Sequence, residues 1–268
     1  MKNSSYYLNV GEFQCIVVSD GTISVPASPS AQSPKGSVKP TYEDMDISCL
    51  VIRAGKRNIL IDTGCGDGFQ ESAGKLVINL KKEGINPEDI DTVIYSHGHE
   101  DHAGGTFNAN GNPVFPNAKY VVLREEWECW EKKPETPLNE GLFGSARKHL
   151  LPIREKFDIV ENDYDVIPGI KLITAPGHTP GSVIVQLKST NNELLCIGDL
   201  IHSYGEFSQP DYYSFLDSDP EKAYKLRTEG LSEMAQSGRK IFACHFPFPG
   251  IGYFIQENGI LDWRPAVN

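Results

Sequence analysis

Apolar residues along this chain fall mainly into short runs of strand type, each closed by turn formers. The runs are "FQCIVVSD", "SCLVIRAG", "RNILIDTG", "TVIYSH", "AKYVVLR", "IKLITAPG", "SVIVQLKS", "ELLCIGD" and "KIFACH". Some alternate with period two and others stay apolar throughout, the patterns of half-buried and fully buried strands. "VIRAGKRNILI" and "VQLKSTNNELLCI" predict hairpins. Two stretches carry helical spacing instead. "FQESAGKLVINLKKEG" puts Ala73, Leu76, Val77 and Leu80 on one face and stops at Gly84, a C-cap residue. "SDPEKAYKLRTEGLSEMAQSG" opens on Ser218 or Asp219 as N-cap, with Pro220 in its first turn. It places Ala223, Leu226, Gly230 and Met234 at helical spacing and ends at Gly238. Strands in runs with helices between them predict a layered α/β protein, sheets inside and helices outside. "ASPSAQSPKGSVKP", residues 27–40, has no periodicity and exceeds the usual connection, which predicts a lid or binding loop.

Composition narrows the class. A chain of 268 residues fits one domain spanning residues 1–268. No apolar run approaches the roughly 18 residues of a membrane span, and "MKNSSYYLNVGEF" lacks the apolar segment of a signal peptide. The net charge of −11, with no basic stripe, argues against nucleic acid as a partner and favours a small neutral or cationic molecule. The six cysteines form no C-x-x-C pair and sit mostly in apolar runs, which predicts reduced core thiols and a cytoplasmic setting.

The candidate chemistry sits where strands end. "TVIYS" runs into His97, Gly98, His99, Glu100, Asp101 and His102; "KLITAPG" ends at His178; "LLCIG" at Asp199; "KIFAC" at His245. Four predicted strands thus deliver five of the seven histidines and two carboxylates to one edge. Imidazole nitrogen and carboxylate oxygen, without thiolate, are the ligands of a catalytic Zn²⁺ rather than of a closed structural site. Residues 97, 99 and 101 alternate along what reads as an extended loop, and Asp101 and His102 are free to serve different ions. Seven ligands exceed one tetrahedral ion and suit two ions that share a carboxylate. Gly98, Gly104 and Gly105 read as sharp turns around the site.

These landmarks, "ILIDTG", "SHGHEDHAGG", "APGHTPGS", "CIGD" and "ACH", resemble the metallo-β-lactamase superfamily from about Gly11 to Phe254. "GEFQCIVVSDGT", "GKLVINLKKEGINPEDIDTVIYSHGHEDHAGG", "FPNAKYVVLREEWECW", "GDLIHSYGEFSQPD" and "CHFPFPGIGYF" resemble its methyl parathion hydrolase branch, with the N-acyl-homoserine lactonases more distant. The resemblance implies an αββα four-layer sandwich with the metals at the edge of the two sheets. It implies one ion on His97, His99 and His178, a second on Asp101, His102 and His245, and Asp199 bridging them. A water or hydroxide between the ions would attack a small ester-like substrate: a lactone, carboxylic ester or phosphotriester. Zn²⁺ suits the ligands; Mn²⁺, Co²⁺ or Fe fit the same types. Asp101 is then a catalytic proton donor as well as a ligand.

Departures from family patterns shape the expectation. Antibiotic-cleaving relatives lack a bridging carboxylate, which here is Asp199. The flavodiiron branch has Glu where this chain has His99. Many lactonases place Tyr three residues after the bridging Asp, where this chain has His202, a further catalytic candidate either facing the substrate or supporting the metals. The rival readings are a mononuclear-iron sulfur dioxygenase, a thioesterase, or a non-catalytic metal-dependent binding protein. Asp62 reads as an acceptor orienting a ligand histidine, and His149 as a helix-surface residue. Phe207, Tyr212, Tyr213, Phe215, Phe246 and Phe248 are candidate walls of an apolar substrate pocket. "PFPGIG" is a candidate homodimer contact.

Overall fold

Strand after strand in this chain buries alternate side chains on opposite faces, so both faces of each sheet must be covered. The computed structural model describes residues 3–26, 42–132, 144, 146–203, 206, 214 and 216–266. Within them, one seven-stranded sheet runs in chain order. Its strands are β1 (Ser5–Val10), β2 (Phe13–Pro26), β3 (Tyr42–Ala54), β4 (Arg57–Ile61), β5 (Thr92–Ile94), β6 (Lys119–Leu123) and β7 (Phe157–Val160). The second runs in reverse order from β14 (Ile260–Pro265) through β13 (Ile251–Glu257), β12 (Lys240–Phe242), β11 (Asn192–Cys196), β10 (Val183–Ser189) and β9 (Ile170–Thr174) to β8 (Asp165–Ile167). The expected hairpins are present as β3–β4 and β10–β11. Parallel pairing of β4 with β5 and of β11 with β12 brings the ends of these strands to one edge.

Three apolar clusters define the layers. Leu50 and Ile52 of β3 face Val183, Val185 and Leu187 of β10 across the gap between the sheets. Cys49 and Val51 point the other way, into a cluster with Leu76, Leu80, Trp127 and Trp130 from the helices α1 (Leu76–Lys82) and α3 (Arg124–Glu131). Ile184 and Leu195 meet Leu231 and Met234 of a long C-terminal helix (Pro220–Ser237) on the far side of the second sheet. The period-two alternation of each strand therefore produces helix, sheet, sheet, helix, the expected αββα sandwich. Ile52 is fully buried between the sheets. Ile52→Ala should lower unfolding stability by about 2–5 kcal/mol in urea titration, the cost of an unfilled core cavity.

The elements differ from expectation in places. α1 is only seven residues and begins at Leu76, because Gly74 holds φ 72° and the Asp20 carboxylate takes the Leu76 N–H (2.8 Å). Gly84 does follow it in the left-handed conformation, φ 69°. The long helix keeps the predicted caps: Asp219 accepts from the Lys222 N–H, Pro220 is its first residue, and Gly238 has φ 61°. Its buried face keeps the predicted Ala223 and Met234, with Leu226 half-buried beside them, and adds Arg227 and Leu231, which takes an arginine inward. The predicted lid, residues 27–40, lies outside the described residues, as does the His149 side chain. No described helix is long and apolar enough to cross a membrane.

Candidate metal centre

The predicted ligands converge where the strands end. β5 stops at Ile94, two residues before Ser96, whose N–H and hydroxyl both bind the Asp62 carboxylate (2.7 Å each). Asp62 itself adopts φ 60°, which turns its carboxylate back under the loop. His99 keeps an extended backbone, but Glu100–Ala103 form a helical turn, α2, closed by the His102 and Ala103 N–H groups on the His99 carbonyl. Asp101 and His102 thus sit on a helical turn, not on the predicted extended loop. β9, β11 and β12 deliver His178, Asp199 and His245.

Three of the rings are oriented from behind. The Asp62 carboxylate accepts from His102 Nδ1 (2.9 Å), the Asp46 carbonyl from His245 Nδ1 (3.2 Å), and the Asp217 carboxylate from His178 Nδ1 (3.1 Å). All three Nε2 atoms are thereby turned to the Asp199 carboxylate. Its Oδ1 lies 3.0 Å from His102 Nε2 and 3.0 Å from His245 Nε2. Its Oδ2 lies 3.2 Å from His178 Nε2 and 3.7 Å from His97 Nε2. His99 Nδ1 is 2.9 Å from His178 Nε2, and His102 Nε2 is 3.2 Å from His245 Nε2. Asp101 Oδ2 stands 3.7 Å and 3.6 Å from His102 and His245. One oxygen of Asp199 therefore serves each group of imidazoles.

This arrangement fits metal ions. His97 Nε2 is buried and has no hydrogen-bond partner among the described residues. Donors on a tetrahedral ion at about 2.0–2.1 Å lie about 3.3 Å apart, close to the observed separations. Two donor groups emerge, His97, His99, His178 and Asp199 in one and His102, Asp199, Cys244 and His245 in the other. Burial, and next the neighbouring His102, hold His97 well below the ordinary histidine pKa; burial and His178 do the same to His99. Both keep their lone pairs. Burial opposes charge on His102 too, but Asp199, Asp101 and Asp62 outweigh it and raise its pKa. Burial likewise works against the Asp199 charge, yet His102, His245, His97 and His178 hold its carboxyl well below the usual range. Bound cations would replace those protons.

The Metallo-beta-lactamase superfamily description matches residues 42–245. The chain belongs to the metallo-beta-lactamase superfamily. It is 28% identical over 201 residues to an N-acyl homoserine lactonase of Bacillus thuringiensis, covering 67% of this chain and 73% of that one. Among solved structures it is similar to AidC, a dizinc quorum-quenching lactonase in complex with a product, at TM-score 0.89 and 26% identity over 99% of this chain and 98% of that one. It is also similar to hydrolase AbOPH of the beta lactamase superfamily, at TM-score 0.86 and 29% identity, with coverage of 99% and 98%. By sequence and fold it is a lactonase-like, metal-dependent hydrolase.

Beyond the superfamily ligand pattern, the site holds groups that spacing does not reveal. Cys244, beside His245, has its Sγ 3.8 Å from Asp199 Oδ1, and burial pushes its thiol pKa up to about 12. It is a thiol at the edge of the site. His202 does reach the centre: Nε2 is 3.3 Å from Asp199 Oδ2 and Nδ1 is 2.9 Å from Glu206. Arg227 pairs with Asp217 (3.1 Å) and Glu206 (3.6 Å), joining the supports of His178 and His202. Gly98, Gly104 and Gly105 do not have positive φ; they are needed for close approach instead. A Cβ at Gly98 would lie 2.1 Å from Trp130 Nε1, and one at Gly105 2.0 Å from the Thr63 carbonyl. Phe246 is no pocket wall: it packs in the core 4.9 Å from Trp263, ring to ring. Phe248 is half-buried against the inter-sheet cluster. Phe207, Tyr212, Tyr213 and Phe215 lie outside the described residues.

Proposed function

We propose that the protein is a dinuclear zinc hydrolase of small ester-like molecules, with lactones the first substrate class. The observation that carries this is Asp199, whose two oxygens face separate imidazole groups (Oδ1 to His102 and His245, Oδ2 to His178 and His97). His97, His99 and His178 would hold one ion, Asp101, His102 and His245 the other, and Asp199 both. When bound, the ions supply Lewis acidity and bring the pKa of water towards roughly 7.

The chain's own groups divide the remaining work. Asp101 is 15% exposed where Asp199 is 5%, so Asp101 is the carboxylate a substrate can reach. It takes the proton released as water adds to the acyl or phosphoryl centre and returns it to the departing oxygen, giving the acid and the alcohol. Asp199 stays charged and shared. His202, held by Glu206, fixes the orientation of Asp199. The likeness to lactonases favours an ester closed into a ring; the net charge of −11 disfavours polyanionic substrates.

A panel of lactones, aryl esters, phosphotriesters and thioesters, each run with metal-loaded and metal-stripped protein, tests this reading. Lactone turnover lost on stripping and restored by Zn²⁺ is the expected result. Metal uptake without turnover of any member would instead mark a binding protein.

A further inference from the structure

We propose that Glu126 is a positioning residue that braces, with one buried carboxylate, the two loops carrying His97, His99 and His178. The proposal rests on those three residues holding one ion, as assigned above. Glu126 lies on α3, outside the sheets, and is 0% exposed. Its Oε1 accepts the Gly98 N–H (2.7 Å), between His97 and His99, and the Trp130 indole N–H (3.2 Å). Its Oε2 accepts the Thr179 hydroxyl (2.6 Å) and the Gly181 N–H (3.0 Å), directly after His178. The two loops are about 80 residues apart in the chain, and this carboxylate bonds to both of them.

Close packing enforces the arrangement. A Cβ at Gly98 would meet the Trp130 ring at 2.1 Å, and one at Gly181 would meet the Glu126 backbone nitrogen at 2.2 Å. Both loops therefore lie directly against α3. Three of the four partners, Gly98 N–H, Gly181 N–H and Trp130 Nε1–H, can only donate, so the site calls for a group that accepts on both atoms. Glutamine cannot do this: whichever way its amide is turned, its NH₂ faces at least one obligate donor. The Thr179 hydroxyl, which also contacts Ser182 Oγ (2.7 Å), could turn to accept, but Gly181 could not.

None of these contacts reaches Asp101, His102 or His245, so the effect should be confined to one ion. Full-length, metal-free protein is titrated with Co²⁺ against a competing chelator, for wild type, Glu126→Gln and Thr179→Val; His178→Ala shows which step belongs to the His97–His99–His178 ion. Glu126→Gln should weaken that step about 10- to 100-fold, the usual cost of losing a support behind metal ligands, and leave the other step unchanged. Thr179→Val, which removes one of the four bonds and little volume, should weaken the same step by less. Equal weakening of both steps, or no change in either, overturns the bracing role. Fewer than two steps in wild type would instead defeat the two-ion reading.

Discussion

Asp199→Ala should leave the protein with one metal ion or none and no measurable turnover. The substitution removes the only described carboxylate that touches both imidazole groups, at 3.0 Å on one oxygen and 3.2 Å on the other. It also strips the counter-charge that does most to raise the pKa of His102 against its burial. Each ion bound only to the folded state adds about 4 kcal/mol of stability when its free concentration is 1,000 times its Kd. Loss of one or both should therefore appear as a fall in melting temperature, measured with a saturating supply of Zn²⁺. In wild type, a chelator should produce the same fall. A variant that retains two ions and its melting temperature would show that Asp199 is not the shared ligand.

Asp101→Asn should behave differently. The amide keeps the shape and a weaker oxygen ligand, so much of the metal should stay, but it cannot carry a proton. Turnover should fall roughly 10²-fold or more, the usual scale for general acid–base catalysis. The loss should shrink for nitrophenyl esters, whose leaving group needs little protonation, and persist for alkyl lactones. Steady-state rates across a series of leaving groups, with metal content measured in parallel, separate the two roles. An equal loss throughout the series, with metal intact, would leave Asp101 as a ligand only.

The convergence of the candidate ligands was largely legible because they are local in sequence: each follows a strand, and the densest four lie within six residues, from His97 to His102. Asp62 was legible for the same reason, at the end of β4. Their supports were not. Asp217 reaches His178 across 39 residues, and Glu126 reaches Gly98 across 28, from a charged segment, "REEWECW", in which nothing local marks one glutamate as buried. A buried carboxylate on such a segment is recognisable only once packing places it. Arg227 was masked in the same way, by helical spacing that fits more than one inward face.

In the fold, β3 and β10 were readable as near-continuous apolar runs because both of their faces are buried. β1, β7 and β8 were missed because most of their side chains are exposed or half-buried, which leaves no apolar run to read. The β13–β14 hairpin had a readable signal: Asn258 and Gly259 adopt φ 53° and 81°, the pair of positive angles that an Asn-Gly turn supplies. The Asp101 and His102 turn was misread because a helix of four residues has no periodicity to detect.

Two ions sharing this centre through Asp199 must show in the metal content. Elemental analysis of protein purified without added chelator, set against its measured concentration and specific activity, tests that most directly. Two divalent ions per chain, predominantly zinc, are expected, with activity rising as the second ion is restored to stripped protein. Full activity at one ion per chain, or activity from iron alone with consumption of oxygen, would contradict it.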